Sequence, residues 1–131
     1  MSTAKFERIR NVCVTHYGEK NACGVIAIAL ACNVSFGKAH AVCKRQGRKD
    51  RAPMTGTLII KALAELGVVA TFTDIPIGTT IGTMATRVPG TYLLCMPGHV
   101  TTVIDGIIHD FIGQQSRRRT TGMISWTQEA V

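Results

Sequence analysis

The sequence predicts an α+β domain, with helices first and an antiparallel sheet after them. Three observations carry that expectation. Between residues 22 and 66, apolar residues recur at helical spacing in segments divided by turn residues. The C-terminal third breaks instead into short apolar runs of strand length. Between two of those runs stands Asp105-Gly106, among the strongest short hairpin signals a sequence can give. The length, 131 residues, suits a single domain spanning residues 1–131, and an apolar fraction of 46% is enough for a core.

Taken in order, residues 1–10 carry Lys5, Arg8 and Arg10, with no apolar core of a signal peptide behind them. Asn11-Val12-Cys13-Val14-Thr15-His16 then reads as a short strand. The stretch that organises the chain is Asn21-Ala22-Cys23-Gly24-Val25-Ile26-Ala27-Ile28-Ala29-Leu30-Ala31-Cys32-Asn33. It is apolar on every side, which describes a helix buried all round. Asn21 is a good N-cap, which puts Cys23 in the first turn, and Asn33-Val34 close the helix.

Ser35 caps a second helix over residues 36–46, with Phe36, Ala39, His40 and Cys43 on one face and Gly47 as its stop. His40 on that face reads as a packed histidine. A basic loop runs through Pro53. Thr55 or Thr57 then opens a third helix, striped by Leu58, Ile59, Ala62, Leu63 and Leu66 and ended by Gly67. Residues 68–73 read as a first strand, and residues 75–90 as a loop with a short helix from Thr80 to Arg87. Strands follow over 92–96, 99–104, 107–112 and 122–126.

Composition narrows the function classes. No apolar stretch is long enough to cross a membrane, so no membrane partner is expected. The five cysteines are odd in number and mostly sit in apolar segments, which fits reduced thiols and a cytoplasmic location. Cys13 and His16 make a Cys-x-x-His pair, but the second close pair of a zinc site is missing, so neither metal nor cofactor is expected. The net charge of +7 sits in two clusters, residues 44–51 and Arg117-Arg118-Arg119. These suit an acidic protein partner or nucleic acid, or simply solvated loops. Aromatic residues make up only 5% of the chain, too few for the stacking platforms that bind single strands, so nucleic acid is not favoured.

The first helical turn is where a nucleophilic cysteine gains most. Unpaired N–H groups and the positive end of the helix dipole favour the Cys23 thiolate there. The alternative is a small core residue, since free cysteine is commonly buried. The hairpin register adds a base. With Asp105 and Gly106 as turn residues, Ile104 pairs with Ile107, Thr102 with His109, Thr101 with Asp110, and His99 faces Ile112. His99, Thr101 and Asp110 then share a face, with Asp110 diagonal to His99, while His109 takes the other face. A carboxylate beside an imidazole is what a general base needs to hold its tautomer. Cys23 as nucleophile, His99 as acid and base, and Asp110 as orienter form a catalytic set, with the Cys23 N–H in the oxyanion hole. Asp105 is a weaker candidate for the third member, because a turn position already explains it.

At these residues the chain resembles the papain-like cysteine peptidase superfamily, and its small bacterial branches such as the double-glycine leader peptidases of bacteriocin exporters. The matching text is Asn21-Ala22-Cys23-Gly24-Val25, Gly98-His99-Val100-Thr101-Thr102-Val103 and Ile108-His109-Asp110-Phe111. The resemblance implies a papain-like fold, with Cys23 on a central N-terminal helix and His99 and Asp110 on a C-terminal antiparallel sheet. Two positions depart from the pattern. Where members often carry an oxyanion-donating glutamine, six residues before the cysteine, stands Tyr17, so Asn21 or the Tyr17 hydroxyl would substitute. Ala22 occupies the place where the leader peptidases usually have aspartate.

The resemblance implies a peptidase, isopeptidase or amidase acting on a protein or peptide substrate, and it also covers deamidases and acyl-transferring enzymes. The other reading is a catalytically weak or inactive scaffold, for example a phage-encoded host-modifying protein. It would bind an acidic protein or nucleic acid through residues 44–51 and Arg117, Arg118 and Arg119.

Overall fold

The computed structural model describes residues 3–20, 22–110 and 116–127. Its elements run α1 (Ala4–Tyr17), α2 (Cys23–Cys32), α3 (Phe36–Arg45), α4 (Gly56–Glu65), β1 (Thr71–Asp74), α5 (Ile81–Arg87), β2 (Thr91–Met96), β3 (His99–Ile104), β4 (Ile107–His109) and β5 (Gly122–Ser125). The N-terminal helices pack against one five-stranded antiparallel sheet of order β1-β5-β2-β3-β4. The α+β class is therefore as the sequence predicts.

The helix α2 lies at the centre of this packing. Its residues from Gly24 to Leu30 are all buried, and it contacts α1, α3, α4 and the sheet. An apolar helix with no polar face needs neighbours on every side, and here it has them. The Thr102 hydroxyl of β3 donates to the Ala27 carbonyl (3.2 Å), which ties the middle of α2 to the sheet. Leu93, Val100 and Ile124 complete this core from the sheet side. On the opposite face, Ile81, Met84 and Ala85 of α5 cover Tyr92, Leu94, Met96 and Val103 in a second, smaller core. Among the described residues no single helix is long and apolar enough to cross a membrane.

Local chemistry sets the boundaries. Thr3, Ser35, Thr55 and Thr80 each cap a helix by accepting a backbone N–H three residues on. Asn33 ends α2 in the left-handed region (φ 53°), a conformation asparagine tolerates better than most side chains.

Three expectations need correction. The strand expected over residues 11–16 is the second half of α1. Phe6, Ile9, Val12 and Cys13 recur at helical spacing and face the core, and the Thr3 cap starts that helix well before Asn11. The strand expected from Val68 begins at Thr71, because the Val68 N–H is used on the Leu63 carbonyl (2.9 Å) at the end of α4. The strand expected over 107–112 stops at His109 and the chain bends at Asp110, while the His99–Ile112 pairing lies outside the described residues. The expected Thr101–Asp110 pair is missing because the ladder ends one residue earlier, while Ile104 opposite Ile107 and Thr102 opposite His109 are as expected.

If α2 carries the core, removing volume at its centre should be felt by the whole domain. Ile28 is fully buried. Ile28→Ala is expected to lower stability by about 2–5 kcal/mol, read as a shifted urea midpoint with an unchanged slope.

Candidate active site

The nucleophile candidate is set by a helix start. Cys23 is the first residue of α2, and the N-cap is Ala22, which makes no side-chain cap hydrogen bond. The expected cap, Asn21, lies outside the described residues. With no capping side chain from Ala22, the Cys23 sulfur is itself an acceptor at the helix start, taking hydrogen bonds from the backbone N–H groups of Gly24 and Val100. Gly24 lets the Met54 side chain pack closely on the helix start. A Cβ there would come within 3.0 Å of the Met54 sulfur and 3.1 Å of its Cβ.

The base candidate is set by a tight turn. Met96 and His99 are the last ladder pair of β2 and β3, joined by Pro97-Gly98 with Gly98 at φ 72°. Arg118 donates from Nη2 to the Pro97 carbonyl (3.0 Å) and braces this turn from outside. His99 Nε2 lies 2.6 Å from Asp110 Oδ2, with side chains 12% and 2% exposed. Nε2 is thus committed to the carboxylate, which leaves Nδ1 for the hydrogen bond that His99 makes with Cys23. Asp110 reaches His99 because the ladder ends at His109 and the next residue bends.

The electrostatics follow from these contacts. The hydrogen bond to Asp110, with a second to Cys23, raises His99 from its ordinary 6.5 to about 9 against the opposing effect of burial. Burial alone would push the Cys23 thiol up. Hydrogen bonds from His99 and the Val100 N–H, together with the His99 charge, outweigh it and hold the thiol below its ordinary value. The other four cysteines all go the opposite way, chiefly through burial, with Cys43 and Cys95 at about 11. Cys23 and His99 therefore favour a thiolate–imidazolium pair, held from behind by a buried carboxylate. A gap of only about 10 Å³ lies beside the three residues, walled by Phe6, Ile26 and Leu30. The pair has an apolar backing.

The structure thus brings Cys23, His99 and Asp110 together. Tyr17 is placed elsewhere: its ring packs on Phe36 (4.9 Å) and His40 (4.7 Å) of α3, and it shares a hollow with Glu19, His40, Asp50 and Arg51. Arg117, Arg118 and Arg119 are exposed. In the other basic cluster, Arg45 pairs with Glu65, and Arg48 is buried against Glu19 (2.6 Å). Cys13 is buried, its thiol donating to the Glu19 carbonyl (3.3 Å), while His16 is exposed on the same helix. Asp105 occupies its hairpin turn at φ 49°.

Sequence reasoning missed Glu19. It is 2% exposed and accepts from Arg48, from the Arg51 N–H (3.0 Å) and from His40 Nε2 (2.7 Å). These bonds join the segment just before Cys23 to α3 and to the basic loop that carries Met54. No local signal marks a lone glutamate as such a hub; only the buried Arg48 that it neutralises explains it.

No protein-family model matches the chain, and neither curated proteins nor solved structures give a significant match. What fold and site define together is an α+β domain with a Cys-His-Asp constellation at the start of its buried helix.

Two outcomes are expected. Burial would raise the Glu19 carboxyl, but Arg48 and its other partners hold it below 4.5. Its contribution to stability is therefore present above that value and lost as pH falls through the lower folded value. Glu19→Gln should cost about 3–5 kcal/mol near neutral pH by leaving Arg48 buried and unpaired, and should flatten the acid limb of urea melts. The second concerns Cys23. Its alkylation by iodoacetamide should stay fast below neutral pH and slow at least about tenfold in His99→Ala, since only the backbone N–H groups of Val100 and Gly24 then oppose burial.

Proposed function

We propose that this protein is a papain-like cysteine hydrolase, cleaving an amide, isopeptide or acyl bond in a protein or peptide substrate. The observation that carries the reading is the Cys23–His99–Asp110 arrangement, in which one thiol of five is lowered while its histidine partner is raised. The Cys23 thiolate attacks the carbonyl carbon, and charge develops on the carbonyl oxygen. The Cys23 N–H at the start of α2 points its dipole at that oxygen. His99 then gives its proton to the leaving group, and an acyl-enzyme remains. The neutral imidazole, its Nε2 anchored on Asp110, takes a proton from water to release the acid.

Within this reading, Asn21, which lies outside the described residues, stays the expected second oxyanion donor, while the Tyr17 ring packs on Phe36 and His40 of α3. The five free cysteines support a reducing, cytoplasmic setting. A second reading keeps the scaffold and drops turnover. It rests on the exposed Arg117, Arg118 and Arg119, of which Arg118 contacts the turn before His99, as the contact for an acidic protein or nucleic-acid partner.

A panel of peptidyl-aminocoumarins separates the two readings. The hydrolase should lose turnover roughly 10²–10⁴-fold in His99→Ala and all of it in Cys23→Ala, with folding retained. Charge reversal at Arg117 to Arg119 that abolishes function while Cys23→Ala leaves it intact would select the binding scaffold instead.

A further inference from the structure

We propose that Cys95 is the resolving thiol of Cys23, so that a hydroperoxide closes a reversible disulfide between them and switches the site off. The inference rests on the reading of Cys23 as a reactive thiolate and adds a regulatory partner to it.

Cys95 lies on β2 directly opposite Val100 of β3. Side chains paired in this way share a sheet face, with Cβ atoms about 4.5–5.5 Å apart. Val100 in turn walls, together with Cys23, the small gap beside the site, so both cysteines neighbour this one residue. Both are half-buried rather than sealed, and both pack on the helix-side core. The Cys95 backbone is held in place, its carbonyl accepting from the Thr121 N–H (2.8 Å) and the Thr120 hydroxyl (2.9 Å). Burial raises the Cys95 thiol most, and the Cys23 charge raises it further. The other thiols are less suited. Cys13 donates to the Glu19 carbonyl and Cys43 is buried in α3. Cys32 ends α2, about 14 Å along the helix from Cys23 at ~1.5 Å per residue.

The chemistry is self-gating. The Cys23 thiolate attacks one oxygen of hydrogen peroxide and the O–O bond breaks. The His99 imidazolium protonates the departing hydroxide, so Cys23 becomes a sulfenic acid and one water leaves. The negative charge at Cys23 has then gone, which relieves the repulsion on Cys95, and His99 is neutral and free to take a proton. The Cys95 sulfur, its proton passing to His99, attacks the Cys23 sulfur. The S–O bond breaks, and the hydroxide leaves as a second water with that proton. Two thiols and one peroxide give one disulfide and two waters.

The test uses the full chain treated with one equivalent of hydrogen peroxide, quenched with N-ethylmaleimide and mapped without reduction. A Cys23–Cys95 linked peptide, with two alkylatable thiols lost and both regained in dithiothreitol, is the expected result. In Cys95→Ser, one equivalent should leave Cys23 as a sulfenic acid with no disulfide, and a second equivalent should carry it on to sulfinic acid, beyond rescue by dithiothreitol. Wild-type protein that gives sulfinic acid at Cys23 with Cys95 still alkylatable overturns the proposal. So does a Cys23 disulfide to any other cysteine, or a Cys23 that peroxide leaves untouched. Iodoacetamide rates then tell the two failures apart. If Cys23 alkylates rapidly and depends on His99, only the resolving role has failed. If alkylation is slow and indifferent to His99→Ala, the hydrolase reading fails with it.

Discussion

Everything in this domain is arranged around the burial of α2. A ten-residue helix with no polar face has no stable place on a surface, so α1, α3 and α4 must enclose it on one side and the sheet on the other. Such a helix has polar groups only at its ends. The C-terminal end is closed by Asn33 in the left-handed conformation, whose N–H reaches the Ala29 and Leu30 carbonyls. At the N-terminal end Ala22 supplies no capping side chain, and the Cys23 sulfur takes the N–H groups of Gly24 and Val100 instead. A packing requirement thus puts an electron-rich sulfur at the positive end of a helix, against the start of a strand. Those are the conditions under which a thiol ionises readily.

The charges behind that sulfur are interdependent. Asp110 is 2% exposed, and a carboxylate so deeply placed is costly unless something positive or hydrogen-bonding meets it. His99 meets it, and is raised to about 9 as a result. A cationic His99 then compensates the burial of the Cys23 thiolate. The three groups alternate in sign, and each makes the ionised form of its neighbour easier to hold. Glu19 and Arg48 solve the same problem for structural ends. Arg48, 5% exposed, neutralises a buried carboxylate whose remaining bonds go to His40 and the Arg51 N–H. The outcome there is a fixed joint between the loop before Cys23 and the loop after α3.

These differences explain what the sequence could and could not disclose. α2 was legible because its pattern is extreme and bounded by small polar residues. The hairpin was legible because Asp105-Gly106 specifies a two-residue turn, and a two-residue turn fixes the register of every residue after it. Counting thus brought Asp110 close to His99, although the contact is made by a bend after His109 and not by the continued ladder that the count assumed. Residues 11–16 misled because a run of β-branched residues beside Cys13 imitates a strand when the Phe6–Ile9 half of the same stripe is left out. Val68 to Ala70 misled because their strand-like composition hides that the Val68 N–H closes the preceding helix. Glu19 and Met54 were invisible for a different reason. Their importance comes from Arg48 and Gly24, partners far along the chain that no local spacing connects to them.

Charge shows the same limit in reverse, because a basic cluster in sequence need not be a basic surface. In the stretch 44–51, Arg45 is paired with Glu65 and Arg48 is buried against Glu19, so much of its apparent charge is answered within the domain. In Arg117 to Arg119, Arg118 holds the Pro97 carbonyl, in the turn that delivers His99. Of the three exposed arginines, Arg119 bridges Thr80 at the start of α5, while Arg118 is thus held at the very turn that sets the histidine. Under the hydrolase proposal this position matters more than the total of +7. An anionic group drawn to Arg118 would arrive beside the turn that carries His99. Catalysis and the binding of an acidic partner then cease to be unrelated alternatives. Under that proposal they are two uses of the end of the sheet where β2 turns into β3, distinguished by whether the bound chain also presents a carbonyl to Cys23.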